Sequence, residues 1–146
     1  MNGSGLLESQ GRRLLQLGVA LFLFTSFEGF VIPYFPVPIV GRSVHTLSAF
    51  LGVMLLAFGL IWPKLDLGVV AARIAFWFLV YSGLAITAAF FLAAIWGAGK
   101  STMPLSGAPQ GSAFQETAIM TVAYSSAPTG LIAFALILWG LRAPRR

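Results

Sequence analysis

Four long apolar runs dominate the sequence and leave few folds open to it. They cover about residues 14–33, 44–62, 73–98 and 116–141, and each has roughly the 20 residues that an α-helix needs to cross a bilayer. The runs are continuous, whereas the strands of a membrane barrel alternate with a period of two, and only a helix satisfies every backbone polar group within one such segment. We therefore predict an all-α integral membrane protein, a four-helix bundle that forms a single domain over residues 1–146.

The composition excludes the ordinary soluble classes. Only 9% of the residues are charged and 58% are hydrophobic, whereas a soluble domain carries about 25% charged residues. The net charge of +5 does not point to nucleic acid, because the basic residues stand at the ends of the apolar runs, where they set membrane orientation. The absence of cysteine excludes disulfides and thiolate metal sites.

The basic residues also predict the orientation of the bundle. Four spans place both ends of the chain on one side, and Arg42 and Lys100 alone fall on the other. Because Lys and Arg are enriched in cytoplasmic segments, we predict a bacterial-type inner-membrane protein with both termini in the cytoplasm. The basic residues on the cytoplasmic side are Arg12, Arg13, Lys64, Arg73, Arg142, Arg145 and Arg146.

The single histidine, His45, stands at the head of the second apolar run. One histidine cannot build a zinc site, but it can hold the iron of a haem from one axial side. Ser48, Ala49 and Gly52 follow on the same helical face, and their small side chains leave a shelf for a planar macrocycle or for another helix. The alternative is a histidine in interfacial water, with the small residues serving helix packing.

Two acidic residues lie in or beside the predicted spans. A carboxylate at the depth of Glu28 costs about 2.5–3.5 kcal/mol, so it must be protonated, paired or hydrated. Its position predicts either a proton or substrate site, or a carboxylate that reaches the interface and pairs with Arg42. Glu116 opens the fourth run, where stabilisation of the helix N-terminus is a sufficient explanation.

Polar groups also cluster around Pro128 in the fourth run. This proline cannot donate to the carbonyl of Tyr124, so a backbone acceptor is freed in mid-membrane. The hydroxyls of residues 124–129 predict either the polar wall of a pocket, with Tyr124 donating to a ligand oxygen, or hydroxyls that only satisfy the broken helix. In the third run, Ala85, Ala89 and Ala93 recur every four residues, which is typical of close helix packing.

The order of the motifs resembles the hydroxylaminobenzene mutase family of small four-helix membrane proteins, which is distantly similar to styrene oxide isomerase. The motifs that carry the resemblance are Glu28-Gly29-Phe30-Val31-Ile32-Pro33, Gly41-Arg42-Ser43-Val44-His45, Trp96-Gly97-Ala98-Gly99-Lys100, Gln115-Glu116 and Leu138-Trp139-Gly140-Leu141-Arg142.

The resemblance implies a membrane isomerase with haem b. Styrene oxide isomerase holds its haem between the protomers of a trimer, with a histidine at the head of the second helix as axial ligand, and His45 occupies that position. Its ferric iron acts as a Lewis acid on the oxygen of an epoxide, and the mutase rearranges an aryl hydroxylamine to an aminophenol. On this basis Arg42 is expected near a haem propionate, Ala49 and Gly52 beside the macrocycle, and the chain in a lipid-embedded homotrimer.

The same resemblance implies a small aromatic substrate in an apolar pocket. Tyr124, Tyr81 and Ser82 are the expected polar groups of that pocket, and Glu28 or Glu116 the expected proton carriers.

The chain departs from the family pattern at three positions. Leu51 stands where the family places an asparagine, and Ile86 and Phe90 stand where polar residues are expected in the third helix. Two alternatives therefore stay open: a haem-binding membrane protein without catalysis, and a small proton-coupled exporter in which Glu28 is the coupling site.

Overall fold

The computed structural model describes residues 3–142 and contains four long helices. All four are long and apolar enough to cross a membrane, so the all-helical prediction is confirmed. Arg145 and Arg146, which contributed to the predicted orientation, lie outside the described residues. The helices are α1 (Gly3–Val31), α2 (Pro38–Ile61), α3 (Val69–Trp96) and α4 (Ala113–Gly140), and short 3₁₀ turns occupy Ile32–Tyr34, Trp62–Lys64 and Pro104–Ser106.

Prolines and glycines determine where the helices end. Pro33 and Pro63 stand within the 3₁₀ turns that follow α1 and α2, and Pro38 begins α2, where its missing N–H costs nothing. Gly97 ends α3 in the left-handed conformation with a φ of 59°, which a residue with a Cβ adopts only at a cost. The helices therefore end within about two residues of the predicted spans, whereas each begins earlier than predicted, most of all α1 and α2.

Helix α1 begins at Gly3, so the segment before residue 14, which lies outside the first predicted span, is helical. The segment is amphipathic: Leu7 and Gln10 are buried within the protein. The amide nitrogen of Gln10 donates to the carbonyl of Ala72, and the indole N–H of Trp62 donates to the Gln10 amide oxygen at 3.0 Å. These contacts keep the first three turns helical.

Glycine pairs bring the backbones of α1 and α2 into contact. A Cβ added at Gly11 would lie 2.9 Å from the carbonyl oxygen of Gly59, and one added at Gly18 would lie 2.9 Å from that of Gly52. Both pairs are seven residues apart along each helix. Such close approach is characteristic of membrane helices with small interface residues, and it fixes the rotation of α1 against α2.

The helices pack mainly in chain order, α1 on α2, α2 on α3 and α3 on α4. The backbone N–H of Asp66 donates to the carbonyl of Gly140 at 2.8 Å, so the α2–α3 turn meets the end of α4. Both ends of the described chain therefore lie at the Trp62 end of the molecule. His45 and the 97–112 loop lie at the opposite end, where a second group of buried side chains forms a core. These are Val40, Val44, Ala89, Ala93, Ala94, Ala98, Met103, Ala108, Ile119 and Ala123.

Candidate functional site

His45 and Glu28 are the one basic and acidic pair within salt-bridge distance in the described part of the chain. Nδ1 of His45 lies 3.1 Å from Oε2 of Glu28, and the exposed fraction of the side chain is 43% for the histidine and 1% for the glutamate. One open prediction for Glu28 is thereby corrected: its carboxyl group meets His45 and not Arg42. In this antiparallel hairpin Thr25 faces Ser48, so Glu28 stands level with His45, while Arg42 lies one turn beyond.

Only half of the Glu28 carboxyl group has a partner. Oε1 is buried and makes no hydrogen bond within residues 3–142. A buried carboxyl oxygen without a donor is costly, and a group of this kind that persists in a well-packed helix pair is a candidate for function. The pair is therefore the candidate functional site.

The imidazole is held by α1 along one edge. A Cβ at Gly29 would lie 3.2 Å from Cε1 and 3.5 Å from Nδ1, so the ring edge rests against the bare backbone of this glycine. Among residues 3–142, Glu28 is the ring's hydrogen-bonding partner, and Nε2 makes no bond. One nitrogen is thus anchored to a carboxyl group and the other is unengaged, which is the usual state of a histidine that ligates a metal.

Below the histidine, Ser48 and Gly52 pack against α1. Ser48 is fully buried, donates to the carbonyl of Val44 and lies 2.8 Å from the hydroxyl of Thr25. A Cβ at Gly52 would meet Gly18 and the ring of Phe22 at about 3.2 Å. Of the two alternatives for this small-residue shelf, a macrocycle or another helix, Ser48 and Gly52 meet another helix, α1, so the expectation that Gly52 faces a macrocycle is corrected.

Arg42 and Ala49 stay accessible on the outer side of α2. Arg42 is exposed and Ala49 half-buried. Arg42 lines an open groove of about 450 Å³ whose far wall is Phe90 of α3. Arg42 is thus accessible to a group such as the expected haem propionate.

An apolar cavity lies next to this groove, between α2, α3 and α4, and Leu47 lines both. Its volume is about 190 Å³, and Leu51, Ile86 and Phe134 are among its walls. Ser82 also lines it and donates to the carbonyl of Ser126 at 2.9 Å. Leu51 and Ile86, two of the three positions at which the resemblance leads us to expect polar residues, are therefore cavity walls, which makes this cavity apolar.

The hydroxyls around Pro128 mainly bond to the helix backbone. Ser126 donates to the carbonyl of Ala123, and Thr129 lies within hydrogen-bonding distance of the carbonyls of Ser125 and Ser126. Tyr81 bonds to the hydroxyl of Ser125 at 2.8 Å. Tyr124 is 61% exposed and does not line the cavity. The predicted roles of Tyr124 and Tyr81 stay predictions, and within the protomer Ser82 alone of the three reaches the cavity.

Glu116 is buried and accepts three backbone N–H groups from the preceding loop. Its oxygens lie 2.9 Å from the nitrogen of Gly99, 3.0 Å from that of Ser101 and 2.8 Å from that of Gly111. The N-terminus of α4 is capped instead by Ser112 and Gln115 in a reciprocal pair. Glu116 lies in the first turn of α4 as predicted, but its hydrogen bonds show a further role, because its carboxylate holds the 97–112 loop.

Sequence reasoning missed Gly29 and Thr25 as parts of the site. Gly29 carried a signal, since it follows Glu28 directly and belongs to one of the motifs of the resemblance. Thr25 carried a weaker one, because a threonine one turn before a buried glutamate reads equally well as a satisfied helix hydroxyl. Within residues 3–142 no three His, Asp or Glu side chains come together.

Comparison with known proteins identifies the family of this chain. The family model of styrene oxide isomerase matches residues 10–142, a range that includes Glu28, His45 and the cavity. The chain belongs to the styrene oxide isomerase family.

Two curated relatives come from Ectopseudomonas oleovorans. Hydroxylaminobenzene mutase HabB is 47% identical over 137 residues, which cover 92% of this chain and 84% of the relative. Hydroxylaminobenzene mutase HabA is 30% identical over 129 residues, which cover 88% of this chain and 96% of the relative. No solved structure matches the chain significantly. The resemblance to the mutase family is confirmed, and this member of the styrene oxide isomerase family is an isomerase or mutase.

Proposed function

We propose that this protein is a haem-b-dependent membrane isomerase that rearranges a small aromatic substrate, an aryl hydroxylamine or an aryl epoxide. The similarity to HabB along 92% of the chain supports the mutase reaction, and the family match supports the related epoxide reaction. The observation that supports a haem site is the hydrogen bonding of His45, whose Nδ1 contacts Glu28 while its Nε2 has no hydrogen-bonding partner within residues 3–142.

The residues around His45 fit an axial haem site. His45 would supply the ligand from Nε2, Glu28 would orient the ring, and Arg42 would bind a propionate at the membrane surface. Gly29 leaves room for the edge of the imidazole to rest against α1. When bound, ferric haem supplies a Lewis acid for the oxygen of the substrate, a role that needs no net oxidation or reduction.

The apolar cavity fits the aromatic part of such a substrate. A cavity of about 150 Å³ with aliphatic and aromatic walls binds benzene, and the volume here is about 190 Å³. Ser82 is the polar group best placed to meet a substituent on the ring. Leu51 and Ile86 give the cavity apolar walls, and an electrostatic contact made in such low-dielectric surroundings is stronger than one made in water.

His45 faces α1, whereas the cavity opens on the α3 side of α2. A homotrimer in the inner membrane, with both termini in the cytoplasm, would let the cavity of one copy approach His45 of the next. Many large apolar side chains on the outside of the protomer, such as Phe50 and Leu131, are available for contact with lipid or with another copy.

Spectroscopy and turnover of the detergent-purified protein test this proposal. With a purification tag that contains no histidine, we expect a Soret band and conversion of hydroxylaminobenzene to an aminophenol. His45→Ala should lose both, and Thr121→Ala, at an exposed position of α4, should lose neither. In His45→Gly, added imidazole should restore the Soret band if the protein is folded. A wild-type protein that takes up no haem would refute the haem site, and haem without turnover of either substrate would favour the non-catalytic alternative.

A further inference from the structure

Glu28 makes few contacts that would stabilise the fold. Its side chain is 1% exposed, its single polar contact within residues 3–142 is His45, and its second oxygen has no donor. Helices α1 and α2 are already joined by the glycine pairs and by Thr25 and Ser48. A carboxyl group is poorly suited to apolar packing, so its presence at this position calls for a reason tied to His45.

The environment of the imidazole is asymmetric. The Nδ1–Cε1 edge is covered by Glu28 and by the backbone of Gly29, while the side chain as a whole is 43% exposed. A neutral imidazole carries its proton on one nitrogen and its lone pair on the other. Which nitrogen becomes the ligand therefore depends on which one keeps the proton.

We propose that Glu28 is a positioning residue that holds the proton of His45 on Nδ1 and so leaves the lone pair of Nε2 for a ligand. The inference rests on the proposed function only for the identity of that ligand, the haem iron. Oε2 of Glu28 lies 3.1 Å from Nδ1, where an ionised carboxylate can only accept a hydrogen bond, and no other donor within the described residues competes for it. A carboxylate in this position also makes the imidazole a stronger electron donor.

The tautomer can be measured in the haem-free protein, because His45 is the single histidine in the sequence. Protein labelled with ¹⁵N-histidine and purified through a histidine-free tag gives one pair of ring nitrogen signals. At a pH about two units above the ordinary imidazole pKa of about 6.5, we expect the wild type to carry its proton on Nδ1. In Glu28→Leu the proton should move largely to Nε2, the nitrogen that free neutral histidine prefers to protonate.

Glu28→Gln is the conservative variant, because its amide oxygen can still accept from Nδ1–H. It should keep the wild-type tautomer. Glu8→Gln, an exposed glutamate of the same helix, is the matched control and should change nothing. A wild type protonated on Nε2, or a Glu28→Leu variant that keeps the proton on Nδ1, would overturn the proposal.

The haem-loaded protein gives a second readout. Loss of the carboxylate removes electron donation to the iron, so the preference for ferric over ferrous iron should fall about tenfold in Glu28→Gln, which is about 59 mV upward in the midpoint potential of a one-electron couple. Haem affinity should fall about 10–100-fold in Glu28→Leu. If Glu28 served only to pack α1 against α2, Glu28→Leu would not move the proton from Nδ1 to Nε2, and Glu28→Gln would not raise the midpoint potential.

The two proposals fail separately. If the wild type binds no haem, the proposed function is refuted, but the tautomer of the haem-free protein still decides the role of Glu28. If the wild type binds haem through His45 while Glu28→Gln and Glu28→Leu leave both the tautomer and the potential unchanged, the role of Glu28 is refuted and the haem site stands.

Discussion

Glu28 and Glu116 are both buried at the His45 end of the molecule, and their surroundings are opposite. The carboxylate of Glu116 accepts three backbone N–H groups from the loop before its helix, whereas Glu28 meets one side-chain nitrogen and leaves one oxygen without a donor. A buried carboxylate surrounded by backbone donors contributes to the fold. A buried carboxylate whose single partner is a half-exposed histidine contributes little to the fold. The contrast therefore indicates a structural role for Glu116 and a role at the His45 site for Glu28.

Glu116→Ala should cause the largest loss of stability. It leaves three backbone N–H groups without an acceptor, and because each buried unpaired donor costs about 1–3 kcal/mol, the free energy of unfolding should fall by about 3 kcal/mol or more. The loop should also open. Lys100 is the single basic residue between Arg73 and Arg142, so the rate of tryptic cleavage at Lys100 in the native protein measures this opening.

Glu116→Gln is the control for this variant. Its amide oxygen still accepts from one or two of the same N–H groups, so cleavage at Lys100 should lie between that of the wild type and that of Glu116→Ala. If Glu116→Ala were as stable and as resistant to trypsin as the wild type, the structural role of Glu116 would be wrong.

Glu28→Leu should have the opposite balance of effects. Removing a half-satisfied buried carboxyl group should leave the free energy of unfolding unchanged or raise it by about 1 kcal/mol, while haem retention falls about 10–100-fold. Thermal unfolding and the Soret absorbance of the same preparation measure both quantities. A loss of stability as large as that of Glu116→Ala would remove the distinction between the two carboxylates.

Ser112→Ala should cause a smaller loss of stability than Glu116→Ala. Ser112 accepts from the N–H of Gln115 at 3.3 Å and belongs to the cap of α4, and loss of such a cap costs about 1 kcal/mol. Because Glu116 still holds the loop, tryptic cleavage at Lys100 should change little. A strong increase in cleavage would mean that the cap, and not the Glu116 carboxylate, keeps the loop closed.

The sequence predicts the parts of this protein that depend on local properties of the chain. Helix number and most helix ends follow from apolar length and from Pro33, Pro38 and Pro63, because bilayer thickness and a missing N–H act on single segments. His45 as a site follows from its being the single histidine in an apolar chain.

The partners of the two carboxylates could not be derived in the same way. Glu28 and His45 are 17 residues apart, and they meet because the backbone contact of Gly18 with Gly52 sets the rotation of α1 against α2. Glu116 meets its loop because Gly99 adopts a φ of 116°, which turns the backbone N–H groups toward α4. Both contacts depend on how two segments pack together, and apolar periodicity carries no information about that.

Gly29→Ala should give the smallest effect and separates ring orientation from hydrogen bonding. The added Cβ would lie 3.2 Å from Cε1 of His45, so the ring must move by a few tenths of an ångström while Glu28 stays in place. Because a misplacement of about 1 Å can cost a factor of about 100 in rate, we expect a loss of less than about tenfold in haem affinity and turnover. Gly5→Ala in the same helix, where a Cβ meets nothing within 4 Å, controls for the gain in helix propensity of up to about 1 kcal/mol. If Gly29→Ala lost as much haem as Glu28→Leu, the fit of the ring against α1 would matter more than its hydrogen bond, and Glu28 would owe its importance to the orientation of the ring alone.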